Sequence, residues 1–191
     1  MVRMTKIFES EADPWPELFW IGGVLWVDFA NSLSLERLNL GSVLESRESV
    51  QSWFGRDFDA VNLEELVDLR SLMAEAVSKF HLGSPELASA IERVNVILRS
   101  SAGYDQIRQT GEHFEVARVY ESPLAVVAGS FANFLAGGDF GRVRKCAEPT
   151  CTLHFFDESK AGRRKWCSMS QCGNRAKATN HYRKTRSAGS N

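Results

Sequence analysis

The spacing of the cysteines constrains this chain more than any other feature. All four, Cys146, Cys151, Cys167 and Cys172, lie in the last quarter of a 191-residue sequence whose first 145 residues hold none. They read C-x4-C, a fifteen-residue interval, then C-x4-C. Each pair can offer two thiolates from one turn, and the interval can bring the pairs together. That is what a tetrahedral four-sulfur site requires. Four unrelated buried thiols fit this clustering poorly. His154 could replace a cysteine, but three residues after Cys151 it is expected to pack or stay exposed. The expectation is one structural zinc per chain. Four thiolates leave no open position for water, so such a site is closed rather than catalytic. No H-x-E accompanies the cysteines as a zinc deaminase would need. The metal would stabilise a segment too small to fold by itself.

Charge is divided as unevenly as the cysteines. Residues 1–140 contain 11 Lys/Arg and 21 Asp/Glu, a net of −10, whereas residues 141–191 contain 12 Lys/Arg and 3 Asp/Glu, a net of +9. A basic segment on an acidic chain points to a polyanionic partner. After Cys172 the sequence runs Gly-Asn-Arg-Ala-Lys-Ala-Thr-Asn-His-Tyr-Arg-Lys-Thr-Arg. On a helical wheel Arg175, Thr179, Tyr182 and Arg186 share one face. Lys177, His181 and Lys184 lie roughly opposite. A helix polar on nearly every side buries little and needs another reason to form. Arg144, Lys145, Arg163, Arg164, Lys165, Asn174, Arg175, Lys177, Arg183 and Lys184 are the candidate nucleic-acid contacts, cations for phosphates and Arg or Asn for base edges. Duplex DNA is the leading partner, with an RNA-binding or ribosome-associated role as the alternative; a frayed, solvated helix is the plain one.

The first 140 residues are expected to form a mostly helical α+β domain, followed by a small four-cysteine finger at 141–191. The hydrophobic fraction of 43% supports a real core. Leu18 to Gly23 reads as a short strand entering a glycine turn, and the apolar run from Val24 to Asn31 as a buried helix or strand, with a helix starting after the glycines favoured. Opening Asp13-Pro14-Trp15-Pro16 cannot begin a long helix. Ser46 caps a short helix burying Val50, Trp53 and Phe54. Asn62 and Glu65 form a capping box for a longer one, ended by Gly83. Ser84-Pro85 and Ser122-Pro123 mark two more starts. The first buries Leu87, Ile91, Val94 and Leu98. The second buries Val126, Val127, Phe131, Phe134 and Leu135. Alternation around Thr110-Gly111 predicts a β-hairpin from Tyr104 to Tyr120. Gly137 to Gly141 reads as a hinge to the basic tail, so the body is expected to fold without it.

Asp28 and Asn31 interrupt an apolar run and must find polar partners. They either hydrogen-bond buried backbone or line a ligand pocket with Trp20 and Trp26. No nucleophile–base pair or phosphate loop is evident, and no enzyme is expected. No apolar run approaches the roughly 18 residues needed to span a bilayer, and no signal peptide is visible. The chain reads as cytoplasmic, where thiols stay reduced, and as nucleoid-associated.

Cys146 to Arg175 resembles the CGNR zinc finger, whose name is spelled by Cys172-Gly173-Asn174-Arg175. Arg164-Lys165-Trp166-Cys167-Ser168-Met169 and Phe156-Asp157-Glu158-Ser159 also match that pattern, with Lys165 where arginine is usual. Upstream, Gly22-Gly23-Val24-Leu25-Trp26-Val27-Asp28-Phe29-Ala30-Asn31-Ser32-Leu33 resembles the entry motif of the ABATE domain, with Ser32 in place of threonine. ABATE domains precede CGNR fingers in bacterial proteins described as stress-induced transcription regulators. The resemblance implies DNA binding by the finger. It also implies sensing of an unknown small-molecule effector, or homodimer formation, by the body.

Overall fold

The computed structural model describes residues 17–82 and 86–188 of the chain. Helix α1 (Leu25–Arg37) is its axis. Leu25, Trp26, Val27, Phe29, Ala30 and Leu35 are buried along it, together with the polar Asp28, Asn31 and Ser32. A helix apolar on nearly all sides belongs in the centre of a domain. Around α1 pack helices α3 (Leu63–His81) and α5 (Pro123–Gly137) and the short strand β4 (His154–Phe156). Trp26 joins them, with its ring 5.1 Å from Phe131 and 5.3 Å from Phe134.

Local signals start the helices where the sequence places them. Ser46 accepts the Ser49 N–H at the head of α2 (Arg47–Phe54), and Gly55 closes it in the left-handed region at φ 63°. The Asn62 side chain caps α3, accepting the Glu65 N–H at 3.2 Å, and the Glu65 carboxylate closes the expected box by accepting from the Asn62 side-chain amide at 2.9 Å rather than from its backbone N–H. Ser122 accepts the Ala125 N–H at 3.1 Å ahead of Pro123. The hairpin forms as expected from β1 (Gly103–Thr110) and β2 (His113–Tyr120), with Ile107 opposite Val116 and Gly111 turning at φ 63°.

Three expectations need correction. The segment before α1 is a 3-10 turn at Glu17–Trp20, not a strand. A strand needs a ladder partner, and here Gly22 O accepts a single bond, from Phe156 N–H at 2.7 Å. Helix α4 (Ala88–Ser100) buries Ala90, Val94 and Ile97 and leaves Ile91 41% exposed. It begins three residues beyond Pro85, with no side-chain cap, and its inward face is turned accordingly. Gly83-Ser84-Pro85 and Asp13 to Pro16 lie outside the described residues. Gly137–Gly141 is not a loose hinge. Phe140 sits 5.1 Å from the Phe80 ring and 5.7 Å from that of Phe134, while Asp139 accepts the Gly141 N–H. The Phe140 ring remains 40% exposed, but its contacts with Phe80 and Phe134 tie the linker to the body.

Candidate metal centre and nucleic-acid interface

The finger begins with β3 (Val143–Lys145), antiparallel to β4. Cys146 N–H donates to Leu153 O at 2.9 Å, so the chain between Cys146 and Leu153 doubles back and carries Cys151 toward Cys146. Cys167 precedes, and Cys172 lies within, a wide π-type turn, Met169–Gly173, that leads into helix α6 (Asn174–Ala188). The four sulfurs lie within 4.8 Å of one another. Tetrahedral zinc with bonds of about 2.3 Å places sulfurs roughly 3.8 Å apart. The Cys151–Cys167 and Cys167–Cys172 separations are 3.8 and 3.6 Å. His154 is outside the cluster.

The donor chemistry also fits. Hydrogen bonding from the Cys167 thiol, against the cost of burial, lowers Cys151 to about 5. Burial pushes Cys172 up to about 12, and Cys167, donating to Cys151 and itself buried, is raised further. Thiols this crowded cannot all ionise alone. A divalent cation supplies the missing charge and draws all four into the thiolate form. The finger therefore has the donors for one structural zinc, and Cys146, Cys151, Cys167 and Cys172 would hold it.

Each letter of Cys172-Gly173-Asn174-Arg175 has a separate physical task. Cys172 supplies sulfur. The Met169 side chain lies over the bare Cα of Gly173, where a Cβ would come within 2.6 Å of its sulfur and displace it. Asn174 donates to Ser170 O at 3.1 Å and ties that turn to the helix start. Arg175 is exposed and its side chain makes no hydrogen bond or ion pair among the described residues; its carbonyl accepts from the Thr179 hydroxyl at 3.0 Å.

The candidate nucleic-acid residues divide into two groups. Arg163, Lys165, Asn174, Arg175 and Lys177 are exposed on the finger. Arg163 and Lys165, with Trp20 and Trp166, edge an open cleft of about 850 Å³ between the finger and the turn before α1. Arg144 and Arg164 are engaged internally instead. Arg144 donates to Gly162 O at 2.9 Å and lies 3.7 Å from the fully buried Asp157. Arg164 donates to the carbonyls of Trp166, Cys167 and Ile21, and its guanidinium lies 4.3 Å above the Phe155 ring. Lys145 lines the seam between finger and body. Arg183 and Lys184 belong to α6, but their side chains lie outside the described set.

Asp157 is a scaffold residue that sequence reasoning passed over. Burial would raise its carboxyl, but hydrogen bonds from Ser159, the Arg164 N–H and nearby Arg144 outweigh this and hold it below the usual range. Its Oδ1 accepts the Ser159 N–H at 3.0 Å. The Asp-x-Ser spacing of an Asx turn was the available signal.

The four residues grouped as a pocket share neither of two cavities found among the described residues. Trp20 edges the finger cleft and Asn31 a different cavity, whereas Trp26 and Asp28 are buried and line neither. Asp28 accepts the Gly22 N–H at 2.6 Å. A Cβ on Gly22 would meet that carboxylate at 2.7 Å. Burial raises the Asp28 carboxyl well above the ordinary range, although the Gly22 bond and Arg164 oppose the shift. Asn31 reaches the finger. It accepts the His154 N–H at 2.9 Å and donates to His154 O at 2.8 Å. Both residues of this pair bond buried backbone, and Asn31 also edges a cavity.

These features define a helical protein carrying a zinc finger of four cysteines. The chain belongs to the ABATE family, described as "Putative stress-induced transcription regulator", whose model matches residues 23–138; residues 142–185 match the CGNR zinc finger. No curated protein matches the chain. Among the described residues no helix is long and apolar enough to cross a membrane.

Proposed function

We propose that the protein is a DNA-binding transcription regulator in which the zinc-braced turn presents α6 to a duplex. One observation carries this reading. Among the described elements, helix α6 makes substantial contact with the turn at Met169–Gly173 alone, and it exposes Arg175 and Lys177. No acidic residue follows Glu158 in the chain. A polar cationic helix that packs on nothing else gains little from the fold, and its purpose then lies in a partner. A zinc module holding such a helix is a recurrent way of offering it to the major groove. Lys177, Arg163 and Lys165 are suited to phosphates, and Arg175 and Asn174 lie where the helix leaves the metal site. Four thiolate ligands suit a scaffold rather than a catalytic centre, so we assign no reaction to the finger.

Binding should be measured on zinc-loaded protein over a range of salt, with selection from random duplexes. Affinity should fall with a log–log slope of about −0.9 per phosphate neutralised. Arg163→Ala and Lys177→Ala should weaken all sequences alike. Arg175→Ala should cost about 1–3 kcal/mol on the selected site and relax its sequence preference. Salt-insensitive binding with no enriched motif would overturn the proposal. Tighter, more salt-resistant binding to structured RNA would replace it with the RNA reading.

A further inference from the structure

Between the body and the finger lies a cavity of about 350 Å³, within the size range of small-molecule sites. Helices α1 and α3 contribute Ser34, Arg37 and Ser78 to its wall, and the finger contributes Lys145, Thr152 and His154. No carboxylate lines it. The nearby acids are committed elsewhere: Glu36 pairs with Arg70 at 2.5 Å and Glu75 with Lys79 at 2.8 Å. The Arg37, Lys145 and His154 side chains and the Ser34 and Thr152 hydroxyls make no hydrogen bond among the described residues. The His154 imidazole is 9% exposed. Burial, with His81 and Lys145 alongside, lowers it to about 4, so at neutral pH it is an uncharged ring with one N–H to donate.

Unpartnered donors around one opening, with no anion among them, are complementary to a ligand that brings only acceptors. We propose that this cavity binds a small phosphorylated metabolite, its phosphate held by Arg37, Lys145 and His154 and by the hydroxyls of Ser34 and Thr152. A tetrahedral dianion can accept from several directions at once, and an arginine fork suits its oxygens. Because one wall belongs to the body and the other to the finger, an occupied cavity ties the two together. This names an effector class for the regulator proposed above. Its regulatory consequence rests on that reading, but binding itself does not.

The test uses the full zinc-loaded chain and inorganic phosphate, followed by calorimetry without DNA. Saturable binding is expected. Arg37→Gln and, separately, His154→Gln should each weaken it about tenfold or more, the loss of one charge-assisted or buried hydrogen bond. Arg37 is exposed at the end of α1, so its replacement should leave the fold intact even if that of His154 does not. Arg175→Ala should bind phosphate like the parent. Absence of saturable binding at millimolar phosphate would overturn the proposal. So would weakening by Arg175→Ala but not Arg37→Gln, which would assign the ion to the outer face of the finger. Displacement of phosphate by a short duplex from parent and Arg175→Ala alike would also overturn it, by assigning the cavity to the DNA backbone. Unaltered phosphate binding in a protein that fails to bind duplex would sink the DNA reading and leave the site standing.

Discussion

Replacing Asn31 by alanine tests how the finger is held to the body. Lys145 and His154 face each other across β3 and β4. The neighbouring Cys146 N–H to Leu153 O bond is internal to the ladder, so the His154 N–H and C=O point to its outer edge. There the Asn31 amide stands in for a third strand, accepting at 2.9 Å and donating at 2.8 Å. Alanine strands one buried donor and one buried acceptor, each costing about 1–3 kcal/mol, so a loss of about 2–6 kcal/mol is expected. Entry of water from the adjoining cavity would satisfy one group and bring the loss to the lower end. For a chain of this size that means a fall in Tm of roughly 5–20 °C. Urea unfolding of the zinc-loaded protein gives the free energy, and hydrogen exchange at the His154 amide reports the site itself. Asn31→Asp should also destabilise, because a carboxylate can accept from the N–H but faces the His154 carbonyl oxygen with no donor. A loss under about 1 kcal/mol for Asn31→Ala, with the His154 amide still protected, would refute the edge-pairing argument.

Other perturbations separate scaffold from surface. Cys167→Ser should abolish zinc binding, read by elemental analysis, and should also lower the melting temperature of the helical body. Phe156 packs 5.6 Å from Phe134 of α5, and Phe155 is fully buried; an unchanged body transition would show that the two fold independently. Asp28→Asn should flatten the dependence of stability on pH. The parent carboxyl is raised by burial, so its stabilising contribution is complete below the unfolded value of about 4 and is lost as pH rises to the folded value. The carboxamide still accepts from Gly22, and identical pH profiles for parent and variant would disprove the assignment. Arg164→Ala should destabilise the protein through three orphaned carbonyls, whereas Arg175→Ala should leave its unfolding midpoint unchanged; equal losses would contradict the division drawn between them.

What could be read from the sequence was local. Ser46, Asn62 and Ser122 cap within three residues, the cysteine pairs close within one turn each, and the hairpin turns at Gly111, so spacing alone carries that information. The Asn31 bond to His154 spans 123 residues and has no periodic signature. A polar residue in an apolar run announces only that some partner exists. Leu18 to Gly23 has strand composition, but whether it pairs is decided by how many ladder groups β4 can offer, and that is a tertiary matter.

Net charge misleads in a related way. It weighs every cation in residues 141–191 alike, yet a guanidinium surrounded by carbonyls is a structural part and an exposed one is a ligand for something else. Arg142 donates to the carbonyls of Asp157 and Ser159, and Arg144 and Arg164 are likewise engaged inside the finger. Of the three acids in residues 141–191, Asp157 is consumed within the fold, Glu148 and the exposed Glu158 are not, and nothing acidic follows Glu158 toward α6. A small metal-bound module lacks the core to fix its loops by apolar packing, so it fixes them with arginine-to-carbonyl bonds. On the reading proposed above, the cations open to a duplex include those such bonding leaves over on the described finger surface, among them Arg163, Lys165, Arg175 and Lys177, and it is on these that the DNA reading is tested.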